Sequence, residues 1–335
     1  MKMRLFPYYS TKGSFDTKVV RLRLLKACYA ILLATLLYFT LYYHNDIVQL
    51  ELSSMDYGTD SIMKEYSMRY KSLPIFVVNF NSLTPLKETV SVLHSSGYTN
   101  IHILDNNSTY PPLKEYYQKI RDNKAAEVHL LKQNWGHQAL WKAPLDLFPK
   151  GFKDDYFVCT DPDLELKKLP EDWLLDFIRI HQSIERRRIL PLFFSNRKPF
   201  LKIGSALRID NLLSNNTNKT KFKQKVIDAE SFAWENTKGT YVKEGTENQL
   251  YEADIDTTLA LYPPGYPTKF SYTGLRVAGS FEVEHKPWYY DDEHFTAEYK
   301  YYLAHKSNLV GYYSGIQNGK PYDLKTGQPV ELEAN

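Results

Sequence analysis

Apolar residues gather first in one uncharged run, Ala27 to Tyr43 (ACYAILLATLLYFTLYY), and then in short blocks separated by polar turns. The first run sits near the short limit for a membrane-spanning helix and ends in Tyr38, Tyr42 and Tyr43, aromatics suited to a membrane interface. Residues 1–26 before it carry Lys2, Arg4, Lys12, Lys18, Arg21, Arg23 and Lys26 against the single acid Asp16, and Asp46, Glu51 and Asp56 follow it. That asymmetry keeps the basic tail cytoplasmic and sends the remainder across the membrane. A cleaved signal peptide is the rival reading, but the run ends in bulky aromatics without a small-x-small pattern. A soluble amphipathic helix would show a polar face, and none is present. The expectation is a single-pass type II signal-anchor at 27–43 with a lumenal bulk, in the Golgi or another endomembrane.

Residues 44–72 are polar and without strong periodicity, and read as a stem. From Leu73 the rhythm changes. LPIFVVNF (73–80), NIHIL (100–104), AEVHLL (126–131) and DYFVCT (155–160) read as buried strands. Between them lie helical patterns at 84–97, with Thr84 as N-cap and Gly97 as stop, and around Leu113–Arg121 after Pro111-Pro112. This alternation predicts an α/β fold, a Rossmann-like, mostly parallel sheet flanked by helices. A helix near Glu171–Arg186 follows, then strand-like pieces at 189–194, 202–209 and 256–262, and a polar loop at 211–225. The expected folded domain spans 73–320, with halves at 73–170 and 171–320, and a tail at 321–335.

Composition narrows the function without naming it. The 335 residues are 43% hydrophobic and carry a net charge of only +3, with no basic stripe, which argues against a nucleic-acid partner. The 27 tyrosines suit sugar-binding surfaces and interiors alike. Cys28 and Cys159 lie in an apolar run and a buried strand, so the fold must stand without a disulfide. Triplets at Asn106, Asn107, Asn215 and Asn218 have the form of glycosylation acceptors and fit a lumenal domain.

The polar residues at strand ends carry the candidate chemistry, because ligands of doubly wound sheets bind beyond the carboxyl ends of the strands. Asp161-Pro162-Asp163 follows the apolar strand YFVC. Two carboxylates at this spacing can both reach one hard divalent cation or its waters. Asp105 closes the second strand, where an acid can hydrogen-bond a nucleotide or simply form a turn. Asn79 and Asn81, after the first strand, could line the same site or shape its turn.

The ordered set IFVVNFN, HILDNNST with Pro-Pro, NWGHQALW and DYFVCTDPDLEL resembles the nucleotide-binding half of family-2-like glycosyltransferases of the GT-A fold, over about residues 73–170. The resemblance implies a nucleotide-sugar donor, usually UDP-linked, a carbohydrate or glycoconjugate acceptor, and a divalent metal. Carried over by position, Asp105 faces the base, Asp161 and Asp163 serve metal and diphosphate, and Asn134, Gly136 and His137 border the donor. Trp135, His137 and Trp141 stand where the family usually has small residues. Late histidines in this fold often complete the metal site, which points to His285. An imidazole in the ligand set favours Mn2+ over Mg2+. An inverting transfer also needs a carboxylate base. Asp256 is the first candidate and Glu230, beside Phe232 and Trp234, the second, with Asp254 and Glu235 behind them. Arg208, next to Asp210, reads as a phosphate contact or a surface ion pair. A retaining transferase and a non-catalytic sugar-nucleotide-binding protein remain alternatives.

Overall fold

The computed structural model describes residues 26, 29, 31–35, 61–189, 202–210, 212, 221–234, 237–243, 245–267, 269–290, 295–305, 316–317 and 320–321. The chain divides into two compact units, Met1–Ile47 and Val48–Asn335. In the first, residues 31–35 are helical and Ile31, Leu32 and Leu33 are exposed. Most of the expected anchor at 27–43 lies outside the described residues. Among those described, no helix is long and apolar enough to cross a membrane.

The second unit is built on a sheet of nine strands in the order β3-β2-β1-β4-β8-β5-β9-β7-β6. They are β1 Ile75–Asn79, β2 Ile101–Asp105, β3 Glu127–Leu130, β4 Phe157–Thr160, β5 Lys202–Ser205, β6 Thr237–Lys243, β7 Thr246–Asp254, β8 Ala260–Tyr262 and β9 Thr273–Val277. Helices α1 Ser61–Arg69, α2 Thr84–Ser95, α3 Pro111–Asn123, α4 Ala139–Lys142, α5 Trp173–Ile189, α6 Lys221–Trp234 and α7 Ala297–His305 accompany it.

The period-2 alternation of the strands sorts the core into two layers. Ile75, Val77, Ile101, Ile103 and Val158 pack with Leu86, Val90 and Leu93 of α2, Leu113, Tyr117 and Ile120 of α3, and Phe177 of α5. Phe76, Val78, Leu104, Phe157 and Cys159 face the other way, onto Leu140, Phe148, Phe152 and Tyr262. Phe76 anchors this second layer, its ring centroid 4.9 Å from Phe152 and 5.6 Å from Phe148. Full burial of such a ring is worth about 1.5–3 kcal/mol.

The mostly parallel sheet expected from the sequence is corrected to a mixed one. Strands β3, β2, β1 and β4 are parallel neighbours, as expected. Beyond them β4·β8, β8·β5, β9·β7 and β7·β6 are antiparallel, with β5·β9 parallel. The reason is a hairpin, β6–β7, whose turn holds Gly245 at φ +80°, and the return of the chain from β7 to β8 through residues 255–259 without a helix. A loop that short cannot supply the crossover of a βαβ unit.

Three further expectations shift. Residues 61–72, read as the end of a stem, belong to the folded unit: Met63 and Tyr66 are buried, and Tyr66 Oη donates to Asp155 Oδ1 at 2.7 Å. Thr84 is the first helical residue of α2 rather than its cap. The Glu298 carboxylate of α7 accepts from the backbone N–H of Thr84 at 2.9 Å and from its hydroxyl at 2.7 Å, filling that role from across the fold. The strand-like stretch 189–194 begins with the last residue of α5 and otherwise lies outside the described residues, and the expected loop at 211–225 runs into α6.

Candidate active site

The cleft lies at the carboxyl rim of β1 and β4. Asp161 follows the last residue of β4, and the chain turns so that Leu164 forms an antiparallel bridge with His285. Two backbone bonds fix that juncture, Lys286 N–H to Asp163 C=O at 2.9 Å and Glu165 N–H to Glu284 C=O at 2.9 Å. His285 is thereby held beside the DPD turn, its Nε2 3.7 Å from Asp163 Oδ1 and its ring stacked on Trp288 at 4.9 Å. Asp161, Asp163 and His285 each offer a ligand atom within 4.8 Å of the others.

The electrostatics of this group are unfavourable to it alone. Burial raises the Asp161 carboxyl well above its ordinary range, and the charges of Asp256 and then Asp163 raise it further. Thr257 opposes this by donating its hydroxyl to Asp161 Oδ1 at 2.6 Å. The nearby Lys286 ammonium is committed to Glu88, with Glu165 3.8 Å away. Among the described residues, Asp163 Oδ1 and His285 Nδ1 are buried without a hydrogen-bond partner.

Asp256 reaches the same cleft on the 255–259 segment, which crosses over β9 and β5. Two glycines permit that crossing. A Cβ at Gly274 would stand 2.5 Å from Ile255 Cδ1, and one at Gly204 would stand 2.9 Å from the same atom and from Leu259 C=O. Beneath the segment, the buried Lys202 ammonium donates to the carbonyls of Ile255 and Ser271, the latter at 2.7 Å. It also lies 4.6 Å from the Phe270 ring centroid. Burial pulls the Lys202 pKa down to about 7 against the favourable charge of Asp256. Thr258 N–H donates to Asp256 Oδ1 at 3.0 Å and holds that oxygen.

The opposite wall is the NWGH turn. Asn134 Oδ1 accepts from Gly136 N–H at 2.8 Å, and Gly136 sits at φ +58°. Asn106 clamps the same turn, donating to Gly136 C=O at 2.9 Å and accepting from Trp135 N–H at 3.0 Å. His137 Nε2 lies 2.8 Å from Tyr272 Oη, and burial holds its pKa below the ordinary imidazole value.

A cavity of about 170 Å³ joins these walls, lined by Asn106, Asn134, Gly136, His137, Asp161, Asp163, Asp256, Thr257, His285 and Trp288, with Val78, Phe80, Ser82, Tyr299 and Tyr302 among the others. A second cavity of about 310 Å³ adjoins it, sharing Ser82, Tyr299 and Tyr302 and lined also by Tyr290 and Phe295.

The cleft thus gathers Asp161, Asp163, His285, Asp256, Asn134, Gly136 and His137, and leaves out the other candidates. Asp105 and Asn79 lie at the same rim but point into the opposite layer. Tyr117 Oη donates to Asp105 Oδ1 at 2.9 Å and accepts from Asn79 Nδ2 at 2.8 Å, and burial raises the Asp105 carboxyl. Glu230 is not in the lining. It forms a buried ion pair with Arg276 at 2.7 Å, and Arg276 also donates to Asp254 C=O at 2.7 Å. Asn81, at φ +51°, shapes a turn by accepting from Thr109 N–H at 2.7 Å and Tyr110 N–H at 2.9 Å. Arg208 pairs with Asp210 at 2.9 Å, the surface ion-pair reading. Sequence reasoning missed Asn106, Thr257, Tyr299 and Tyr302. Strand alternation carried a signal for Asn106, which is in phase with His102 and Leu104 rather than with Asp105.

No protein-family model matches the chain, and no curated protein matches it. Among solved structures, the mannosyltransferase PcManGT from Pyrobaculum calidifontis, in complex with GDP-Man and Mn2+, is similar at 13% identity and a TM-score of 0.34. The match covers 64% of this chain and 56% of that one. So slight a likeness carries no argument about the chemistry of the cleft.

Proposed function

We propose that the protein is a metal-dependent glycosyltransferase that moves a sugar from a nucleotide-sugar donor, UDP-linked by preference, to an acceptor hydroxyl. The observation that carries the reading is the convergence of Asp161, Asp163 and His285 with Asp256 in one cleft. A divalent cation fits that donor set. Burial, and then the charges of Asp256 and Asp163, destabilise the ionised form of Asp161, and among the described residues buried Asp163 Oδ1 has no hydrogen-bond partner. Two carboxylates and an imidazole suit Mn2+ better than Mg2+. When bound, such an ion would offset the charge that grows on a departing nucleoside diphosphate.

The chain's own groups supply the rest. Asn134, Gly136 and His137 form the wall against which the donor would lie, kept in shape by Asn106. Asp256 is the base that takes the acceptor proton: Thr258 N–H fixes one carboxylate oxygen, and the other is left to accept. Direct displacement with inversion fits a cleft in which Asp256 stands beside the Asp161–Asp163 pair while Glu230 is engaged with Arg276. The adjoining aromatic cavity offers Tyr290, Phe295, Tyr299 and Tyr302 to a carbohydrate acceptor, whose C–H faces lie well on rings. The uncharged run at 27–43 would hold this unit on the lumenal side of an endomembrane as a type II protein.

Nucleoside-diphosphate release from a panel of sugar nucleotides tests the proposal. Release should need Mn2+, stop with a chelator, and fall on the order of 100-fold or more in Asp163→Ala. Turnover indifferent to chelation, or an Asp163→Ala variant of full activity, would overturn it. Binding of the donor without turnover in any pairing would replace it with the non-catalytic reading.

A further inference from the structure

The outer edge of the sheet holds a second cluster that the proposed reaction does not use. His102 on β2 pairs in register with Glu127 on the edge strand β3, and Leu104 pairs with His129. The two-residue repeat of β3 therefore puts Glu127 and His129 on the face that His102 occupies. His102 Nδ1 lies 3.0 Å from His129 Nε2, and Glu127 carboxylate oxygens lie 3.4 Å from the first and 3.9 Å from the second. All three ligand atoms fall within 4.8 Å of one another.

The surroundings select one tautomer. Asn100 Nδ2 donates to Ser72 C=O at 3.0 Å, which turns Asn100 Oδ1 toward His102 Nε2 at 2.7 Å. The acceptor Oδ1 requires a proton on Nε2, so the lone pair of His102 is on Nδ1 and aims at His129. An imidazole whose far N–H is held by a carbonyl oxygen is the usual outer support of a metal-ligating histidine. His102 is sandwiched by rings, stacked on Phe76 at 5.0 Å and on His129 at 5.2 Å. Burial, and then the charge of His129, lowers the His102 pKa to about 4, and burial lowers that of His129. The Glu127 side chain is 64% exposed while both histidines are buried, so the cluster opens to solvent at Glu127.

We propose that His102, His129 and Glu127 form a second metal site, for a transition-metal dication of the zinc class, which ties the edge strand β3 to β2. Two nitrogens bound to zinc at ordinary bond lengths stand about 3.3 Å apart, a few tenths of an ångström beyond the present separation. His129 would move its proton to its other ring nitrogen, with no net release. Glu127 closes the third position, and water the fourth on the open side.

The test is made in the full chain carrying Asp163→Asn, which disables the cleft. Zn2+ is titrated calorimetrically into metal-free protein, and Co2+ is followed by its visible absorption. One equivalent should bind. Glu127→Gln, at an exposed position that the fold tolerates, should weaken binding at least about tenfold. His129→Gln should abolish it, and Asn100→Ala, which touches no ion, should weaken it about 10- to 100-fold. Failure of the folded parent to bind zinc overturns the proposal, and so does binding that neither Glu127→Gln nor Asn100→Ala changes. None of these results bears on sugar transfer, which is assayed with Asp163 intact.

Discussion

Asp161→Asn separates the cost of the cleft from its use. Asp161 and Asp163 carry ligand oxygens within 4.8 Å of each other. At an effective dielectric of about 20, two unit charges at that distance repel by roughly 3–4 kcal/mol. The asparagine removes this repulsion while its Oδ1 can still accept from Thr257, so the metal-free variant should be the more stable protein. The repulsion is an upper bound, because the wild-type carboxyl can also escape by taking up a proton. At about 2 °C per kcal/mol, relief of the Asp163 repulsion alone raises the Tm by at most about 7 °C, and relief of burial and of the Asp256 repulsion adds to it. The sign with pH is fixed as well. A carboxyl whose folded pKa is raised lowers stability above its unfolded value of 3.8. The advantage of asparagine should therefore be absent in acid below that value and grow as the pH rises from it. Calorimetric melts in chelator across this range, repeated with Mn2+, give the answer. Mn2+ should raise the Tm of the wild type and leave the variant unmoved, and the variant should not turn over. A variant that melts no higher than the wild type in chelator at pH 8, or a gap that narrows as pH rises, would refute the reasoning.

Three other outcomes are expected. Glu230→Ala removes the carboxylate paired with buried Arg276 and should lose about 3–5 kcal/mol in urea unfolding, while kcat per folded molecule holds. A collapse of kcat at unchanged stability would restore Glu230 as a base. Gly274→Ala drives a methyl against Ile255 and should cost about 1–3 kcal/mol together with a fall in kcat, read by comparing melts with turnover, because the displaced segment carries Asp256. Asp155 anchors α1. Burial favours its neutral form, but Arg69, Tyr66 and the Tyr156 N–H outweigh burial and hold its pKa below the ordinary value. Its contribution is in place above pH 3.8 and is lost as pH falls through the depressed folded value. Hydrogen exchange in acid should show α1 releasing first, and Asp155→Asn should remove that pH dependence.

The ends of β1, β2, β3 and β4 were legible because each is a short apolar block bounded by polar turns. The pair Asp161 and Asp163 was legible because it closes one of them. His285 was found only through the family resemblance, since nothing local distinguishes it. Its place depends on the bridge to Leu164, a pairing between distant residues that no periodicity announces. Asp105 and Asn79 end strands, which makes them candidates for the cleft, but ending a strand does not say which face a side chain takes. They share a phase with Ile101, Ile103, Ile75 and Val77 and so meet Tyr117, whereas Val78, Phe80 and Asn106 have the other phase and meet the cavity. Glu230 was drawn in by its aromatic neighbours. Its commitment to Arg276 needed the positions of α6 and β9 to be known. The β6–β7 hairpin was missed because its strands are largely polar and sit outside the strand–helix rhythm.

The bridge between Leu164 and His285 also governs when the proposed cation site in the cleft can first form. One side of the site is encoded before α5 and the other near the end of the chain, with most of the antiparallel half between them. A nascent polypeptide stalled after α5 would carry Asp161 and Asp163 without His285 or Asp256. On the proposed reading, metal affinity in the cleft arrives late in synthesis, as a property of the finished sheet, and a fragment ending at residue 189 should bind no Mn2+ through Asp161 and Asp163 at concentrations that saturate the whole chain.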